Sequence, residues 1–273
     1  MSNIAIDEDL LTVPDGKIFF RRWSPRYSTQ PPLVLLHDSL GCVGLWHDFP
    51  RLLALHTHHP VIAYDRLGFG RSSARHDIPS VNFISEEAEK YFPELRKALD
   101  LTSFILFGHS VGGAMALMIA GSHASSCNGV ITEAAQAFVE RRTLAGIRQA
   151  KRNFQDQEQF RRLIKWHGDK ARWVFDAWTK VWLSDAFSTW SIAPFLPKVS
   201  CPVMAIHGDL DEFGSIAFPE CITKGVHGPT QMAILKNCGH VPHREQQQQI
   251  IQLVDSFTKR YCTTPQENKQ TLI

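Results

Sequence analysis

The chain has 273 residues, of which 44% are hydrophobic and 21% are charged. This length and composition are sufficient for an α/β domain with a substantial core. The formal net charge is only +2, so neither nucleic acid nor an anionic membrane is an expected partner. The start of the chain is polar and no apolar run is long enough to span a bilayer, so a cytoplasmic protein is expected.

Cysteine and histidine usage gives no sign of a structural metal or a disulfide framework. The six cysteines contain no Cys-x-x-Cys pair, which favours free thiols. The histidine cluster at 56–59 has no Cys, Asp or Glu beside it at ligand-like spacing, so no metal site is predicted. No glycine-rich phosphate-binding pattern opens a first helix, and no cofactor is predicted.

Short apolar runs alternate with helix-prone segments along most of the chain. An early edge strand is predicted over 17–23. Further strands are predicted over 33–37, 61–64, 104–108, 129–132, 203–207 and 231–235. Helices are predicted near 45–56, 85–99, 110–121, 214–224 and 244–259. This alternation predicts a mostly parallel sheet of the eight-stranded type with helices on both faces.

The segment 134–195 interrupts this alternation, because it contains no convincing strand and holds five of the seven tryptophans. We predict that it is a helical cap above the carboxyl end of the sheet, inserted into a core formed by 1–133 and 196–273. The polar tail 263–273 is expected to be frayed.

The most informative motif is Gly-x-Ser-x-Gly at 108–112, which lies between an apolar strand and a helix-prone run. Gly108 and Gly112 leave room for a sharp turn that lifts the hydroxyl of Ser110 out of the backbone. This strand–turn–helix context predicts that Ser110 is a nucleophile.

A serine nucleophile needs an acid and a base, which in this architecture follow it along the chain in that order. Asp211 comes shortly after the strand 203–207 and is the predicted acid, with Asp209 and Glu212 as competitors. His240 follows the strand 231–235 and is the predicted base, with His243 as the alternative. Asp211 would hold Nδ1 of His240 while Nε2 takes the serine proton.

Acyl transfer also requires hydrogen-bond donors for the developing oxyanion. One predicted donor is the backbone N–H of Val111, at the start of the helix that follows the nucleophile. The second is the N–H of Ser39, in the loop after the strand 33–37.

With these residues the chain resembles the α/β-hydrolase superfamily, specifically its small serine hydrolases with a helical cap. The resemblance extends from about residue 17 to 259 and includes the His37 loop, Asp65-Arg66-x-Gly68-x-Gly70-x-Ser72 and the elements around the predicted triad. The Asp65 segment is expected to be structural. Asp38 departs from the family pattern, which has glycine there; it either points into a turn or lines the pocket, where it would disfavour anionic acyl groups.

The predicted substrate pocket contains His37, Asp38, His109, Glu133, Trp178 and Trp182. Glu133 occupies a position where some family branches carry the triad acid, but with Asp211 present it is expected at the pocket rim or as a cap anchor. The two tryptophans have helical spacing, which is typical of cap core as well as of substrate contacts. Cap cations such as Arg141, Arg142 or Arg148 are candidates for admitting a carboxylate.

The sequence therefore predicts a serine hydrolase that cleaves a carboxylic ester or lactone through an acyl-enzyme. Two alternatives stay open: hydrolysis of a C–C bond in a vinylogous diketone by the same triad, and a ligand receptor on a hydrolase fold. The expected partner is a small-molecule substrate, and the chain is expected to be a monomer or homodimer.

Overall fold

The computed structural model describes residues 4–262 as an eight-stranded sheet flanked by helices. The strands are β1 (Ile4–Val13), β2 (Gly16–Pro25), β3 (Leu33–Leu36), β4 (Val61–Tyr64), β5 (Phe104–His109), β6 (Cys127–Glu133), β7 (Val203–Gly208) and β8 (Thr230–Leu235). The predicted frayed tail, 263–273, lies outside the described residues.

The helices lie between and after these strands and are numbered in chain order. They are α1 (Phe49–Thr57), α2 (Phe83–Glu86), α3 (Phe92–Ala98), α4 (Val111–Ser122), α5 (Arg141–Asn153), α6 (Gln157–His167), α7 (Ala171–Trp182), α8 (Ala217–Gly225), α9 (Pro242–Glu245) and α10 (Gln247–Tyr261). A π-helical turn, Glu87–Tyr91, joins α2 to α3. Within residues 4–262, none of the helices has the length and apolar character needed to cross a membrane.

The strand order in the sheet is β1-β2-β4-β3-β5-β6-β7-β8. Strands β3 to β8 pair in parallel, whereas β1 pairs with β2, and β2 with β4, in antiparallel fashion. The prediction of a mostly parallel sheet with helices on both faces is confirmed. The prediction of 17–23 as an edge strand is wrong, because the hairpin partner β1 occupies that edge.

Two apolar layers fill the space between the sheet and its helices. Along β3, Val34 and Leu36 belong to the layer that includes α4 and α8, whereas Leu33 and Leu35 belong to the layer that includes α1 and α10. Because neighbouring side chains point to opposite faces of a strand, this division shows that both faces are buried. The sheet is therefore a rigid base for the loops at its carboxyl end.

The segment 134–195 contains α5, α6 and α7, together with short 3₁₀ turns. An isolated bridge between Phe138 and Ser191 ties its two ends together. Because the segment leaves β6 and returns before β7, it lies at the end of the sheet where the functional loops converge. We refer to 134–195 as the cap segment.

Candidate active site

Ser110 lies in a strained turn between β5 and α4. Its backbone angles are φ 56° and ψ −124°, a left-handed conformation that costs a non-glycine residue about 1–3 kcal/mol. A Cβ at Gly108 would collide with the carbonyl of Gly112, and a Cβ at Gly112 would collide with the carbonyl of Leu36. Glycine at both positions is therefore required for the close approach of helix and strand that raises Ser110.

The side chains of Ser110, His240 and Asp211 form one hydrogen-bonded series. Oγ of Ser110 lies 3.0 Å from Nε2 of His240. Nδ1 of His240 lies 2.9 Å from both carboxylate oxygens of Asp211. The carboxylate also accepts hydrogen bonds from the backbone N–H groups of Phe213 at 2.7 Å and Gly214 at 3.1 Å. Such an arrangement allows the imidazole to take the serine proton while the carboxylate holds the ring in position.

Electrostatics favour a charged Asp211 and a basic His240. Burial opposes the charged form of Asp211, but the hydrogen bond from His240 and the nearby imidazoles of His240 and His207 outweigh it and lower the pKa of Asp211. Burial likewise opposes the imidazolium of His240. The hydrogen bond to Asp211 and the charges of Asp211, Glu212 and Asp38 outweigh it, so the pKa of His240 lies above its ordinary value.

Of the three candidate acids, the structure brings Asp211 into hydrogen-bond distance of His240. Oδ1 of Asp209 accepts a bond from the N–H of Cys238 at 3.4 Å, and its other oxygen lies 3.6 Å from Lys236. Glu212 is exposed at the mouth of the adjacent cavity. A difference of one or two loop positions thus separates the residue that reaches the imidazole from those that do not.

His243, the alternative base, is directed into the interior and pairs with Glu133. Nδ1 of His243 lies 2.6 Å from Oε2 of Glu133. Glu133 is 0% exposed and its Oε1 has no hydrogen-bond partner, so burial raises the pKa of Glu133 to about 7. The expectation that Glu133 lies at the pocket rim or anchors the cap is wrong, because the last residue of β6 faces the protein interior.

His109 is buried and does not line the cavity above Ser110, so its prediction as a pocket residue is wrong. Its Nε2–H donates a hydrogen bond of 2.7 Å to the backbone carbonyl of His240. Burial lowers the pKa of His109 to about 4, so the ring is neutral at pH 7. His109 therefore connects the end of the strand that precedes Ser110 to the loop that carries His240.

Donor atoms of His109, Glu133 and His243 lie within 4.8 Å of one another, the set of described residues best placed to hold a metal ion. One nitrogen of each ring already makes a hydrogen bond, to the His240 carbonyl and to Glu133 respectively. These bonds account for the cluster as an internal support of the His240 loop, and we assign no metal to it.

Arg66 stabilises the loop that carries Ser39 through hydrogen bonds to His37 and Asp38. The backbone N–H of Arg66 donates to Nε2 of His37 at 3.1 Å, and its guanidinium donates to the carbonyl of Asp38 at 2.7 Å. His37 is 1% exposed and supports the loop instead of lining the cavity, which corrects the prediction. The Asp65 segment, expected to be structural, thus contributes Arg66 as a support for this loop.

The two predicted oxyanion donors lie beside the nucleophile. Ser39 lines the same cavity as Ser110, and Val111 is the first residue of α4, where the helix dipole favours negative charge. Within residues 4–262, the N–H groups of Ser39 and Val111 have no hydrogen-bond partner. Both N–H groups are therefore free to donate a hydrogen bond to a ligand.

A cavity of about 200 Å³ opens directly above Ser110 and His240. Its lining comprises Asp38, Ser39, Leu40, Ser110, Gln136, Ile147, Ala150, Phe154, Trp178, Trp182, Glu212, Phe213, His240 and Val241. The structure thus places Asp38, Trp178 and Trp182 in the lining, as predicted from the sequence. The charged lining residues are acidic, Asp38 and Glu212, and the lining contains no Lys or Arg.

The cap cations named from the sequence do not line this cavity. The guanidinium of Arg142 donates hydrogen bonds to the backbone carbonyls of Asp211 at 3.1 Å and Gly214 at 3.5 Å. Arg141 and Arg148 are exposed and lie outside the lining. The expectation that these side chains admit a carboxylate is therefore corrected; Arg142 instead holds the loop of the acid.

Comparison with known proteins agrees with this architecture. The family model described as alpha/beta hydrolase fold matches residues 31–172, just over half of the chain. The chain belongs to the α/β-hydrolase family.

The proteins to which this chain is similar include an acyltransferase, a phospholipase and a lactone-degrading enzyme. The 1-acylglycerol-3-phosphate O-acyltransferase of Homo sapiens is 40% identical over 135 residues, which cover 48% of this chain but only 37% of that relative's length. A bacterial membrane phospholipase A has a TM-score of 0.74 at 20% identity, covering 95% of this chain and 87% of its own. An N-acyl homoserine lactone degrading enzyme has a TM-score of 0.72 at 18% identity, covering 91% and 100%.

Several cavity residues of this α/β-hydrolase were not predicted from the sequence, and Gln136 and Phe213 are the two whose properties bear most directly on the chemistry of the site. Gln136 is 4% exposed and its Oε1 has no partner, and Phe213 lies with its ring 4.8 Å from that of His240. Gln136 belongs to no motif, so the sequence around it gives no indication that it lines the cavity. Phe213 could have been found from its position two residues after the acid, because that loop must pass close to the base.

Proposed function

We propose that this chain is a serine hydrolase that cleaves a carboxylic ester or lactone through an acyl-enzyme intermediate. The observation that carries the proposal is the 3.0 Å contact between Oγ of Ser110 and Nε2 of His240 at the floor of the cavity. A serine activated in this way is the usual nucleophile of acyl transfer.

In the first step Oγ of Ser110 attacks the substrate carbonyl while Nε2 of His240 accepts the hydroxyl proton. Asp211 keeps the ring oriented and stabilises the imidazolium. The N–H groups of Ser39 and Val111 bind the oxyanion. His240 then gives its proton to the leaving alcohol, and the acyl group stays on Ser110.

In the second step water attacks the acyl-enzyme and His240 acts again as base, so that the carboxylic acid leaves and Ser110 is restored. For a lactone, the alcohol and the acid are parts of one product molecule. We propose that the cap segment closes the cavity over the substrate and limits the entry of water.

The lining supports an uncharged, largely apolar acyl group as the substrate. Aromatic walls from Trp178, Trp182 and Phe213 bury hydrocarbon, while Asp38 and Glu212 repel an anion near the reacting carbonyl. Two of the three similar proteins have names that refer to acyl compounds, and the third is named as a phospholipase A, which supports acyl chemistry in general. The acidic lining favours neutral esters over phosphate-bearing ones.

The test is steady-state hydrolysis of p-nitrophenyl esters from acetate to octanoate by the wild type, Ser110→Ala and Ser122→Ala. Ser122 is exposed at the end of α4 and serves as the matched control. Loss of the nucleophile should reduce kcat by about 10⁴-fold or more, whereas the control should keep wild-type turnover. Mass spectrometry of the quenched reaction should find the acyl group on the peptide that contains Ser110.

A vinylogous diketone as an additional substrate, together with thermal-shift measurements, distinguishes the alternatives. Turnover of a vinylogous diketone but of no ester would assign C–C bond hydrolysis to the triad. Ligand-induced thermal stabilisation with no turnover of either substrate class would favour a receptor. Ester turnover that survives in Ser110→Ala would overturn the acyl-enzyme mechanism.

A further inference from the structure

The positive charge of the chain is concentrated in the cap segment. Residues 134–180 contain eleven Lys/Arg against five Asp/Glu, an excess of six positive charges, although the whole chain has a formal net charge of only +2. The rest of the chain is therefore net acidic. A whole-chain charge near zero conceals a molecule with one basic end.

An open groove of about 650 Å³ lies on this basic end, between the helices of the cap segment. Its apolar residues are Phe154, Phe160, Ile164 and Phe175. The ring of Phe175 lies 5.1 Å from that of Phe154 and 6.2 Å from that of Phe160, while Ile164 on α6 is 45% exposed. Phe175 is only 5% exposed, and Phe154 and Phe160 are half-buried. The groove therefore has an apolar floor with Ile164 exposed beside it, and exposed apolar residues grouped in this way are typical of an interaction site.

Cations border the groove, and acidic side chains are absent from its lining. Lys151, Arg161 and Arg172 belong to the lining. Among the described residues, Lys151 and Arg161 have no salt-bridge partner, whereas Arg172 lies 3.3 Å from Asp176. The groove therefore combines an apolar floor with unpaired positive charge at its edge.

The acidic residues nearest in sequence, Asp156 and Glu158, lie outside the lining of the groove. Asp156 caps α6 by accepting a hydrogen bond from the N–H of Glu158 at 2.8 Å. Glu158 itself lies 3.5 Å from Arg162 on the same helix. Both carboxylates thus have partners of their own at the start of α6.

Phe154 connects the groove to the catalytic cavity. This half-buried side chain lines both the groove and the cavity above Ser110. The groove and the catalytic cavity therefore share the side chain of Phe154 as part of their walls.

We propose that this groove docks the protein on an anionic lipid surface, with an acyl chain against Phe160 and Ile164 and the headgroups against Lys151 and Arg161. Apolar contact and attraction of basic residues to anionic headgroups are the two terms that hold a protein at such a surface. A second copy of the chain is a poorer occupant, because a symmetric contact would place two positive rims against each other. The proposal goes beyond the proposed reaction and does not depend on it.

The test measures binding to vesicles of phosphatidylcholine with and without phosphatidylglycerol, in the Ser110→Ala background so that no lipid is consumed. The doubly substituted K151E/R161E reverses two charges at the groove. The control K97E/K198E makes the same charge change at two exposed lysines near the amino end of the sheet. We expect binding to anionic vesicles that weakens with salt, falls at least about tenfold in K151E/R161E and stays within about twofold in the control.

Several results would overturn the proposal. Equal binding to neutral and anionic vesicles, no binding to either, or an equal loss in both charge variants would each do so. A concentration-dependent dimer that disappears in K151E/R161E would assign the groove to a second copy instead. Hydrolysis of p-nitrophenyl acetate by K151E/R161E with Ser110 intact keeps this question separate, because docking can fail while soluble ester turnover stays at the wild-type level.

Discussion

The loops at the carboxyl end of the sheet and the cap segment face the same cavity but are built differently. In the loops, polar side chains are held by hydrogen bonds. The Asp211 carboxylate is bonded to two backbone N–H groups and to His240, and His37 is bonded to the N–H of Arg66. In the cap segment, the cavity wall is mostly apolar, and side chains such as Trp178 and Trp182 pack against neighbouring aromatic rings. The polar groups proposed to carry out the chemistry are therefore on the loops, whereas much of the apolar wall of the cavity is on the cap segment.

The largest effect should come from a change in the loops that keeps their shape. Asp211→Asn is nearly isosteric but removes the charge that stabilises the His240 imidazolium, so kcat for a p-nitrophenyl ester should fall by about 10⁴-fold. Asp209→Asn, two residues earlier, is the control and should keep kcat within about threefold. If the Asp209 variant were the more damaged one, the assignment of the acid would be wrong.

The second largest effect should distinguish two tryptophans of the cap segment, the buried Trp182 and the half-buried Trp178. Trp182 is 2% exposed, and its ring lies 4.9 Å from that of Phe187 and 5.9 Å from that of Trp190. Trp182→Ala should therefore lower the free energy of unfolding by about 3–5 kcal/mol, measured by denaturant titration.

Trp178 is only half-buried and contacts the cavity residue Phe213 at a ring separation of 6.0 Å. Trp178→Ala should raise KM for the octanoate ester by about tenfold while changing kcat for the acetate ester little. Equal losses of stability in the two tryptophan variants would remove the distinction between cap core and substrate wall.

The smallest effect concerns the one loop carboxylate that departs from the family pattern. The charge of Asp38 contributes to raising the pKa of His240, after the larger opposing effect of burial and the stronger influence of Asp211. His240 is an active base only above its pKa, so kcat/KM should fall as the pH drops through that value. Asp38→Asn should move this acid limb to lower pH.

The control is Asp7→Asn, which makes the same charge change on the exposed strand β1. The readout is the midpoint of kcat/KM against pH for a neutral ester. An unchanged midpoint in Asp38→Asn, or an equal shift in both variants, would show that the cavity carboxylate does not act on His240.

Much of this arrangement was predictable because it is encoded in contiguous residues. An apolar run such as 104–107 specifies a strand buried on both faces, and the glycines of the elbow specify the turn that follows it. The order of serine, acid and histidine along the chain then restricted each partner to one loop. The strand β1 was not predicted, because most of its residues are exposed and it contains three consecutive acidic ones. It is stabilised by pairing with β2, which includes the contact of 2.6 Å between Glu8 and Arg21, and this pairing is set by the tertiary structure.

The sequence alone determined the parallel sheet, the elbow that carries Ser110 and the identity of its candidate partners, because strand periodicity and turn chemistry act over a few neighbouring residues. Only the tertiary structure decided that Glu133 and His109 lie behind the site, that Arg142 holds a loop, and that the cap charge lines an outer groove. These outcomes depend on contacts between residues that are far apart in the chain. The hydrogen bond between His109 and His240 spans 131 residues, and the one between Glu133 and His243 spans 110. Such contacts arise from how layers pack, and no local pattern specifies which face of a strand end or helix will meet the cavity.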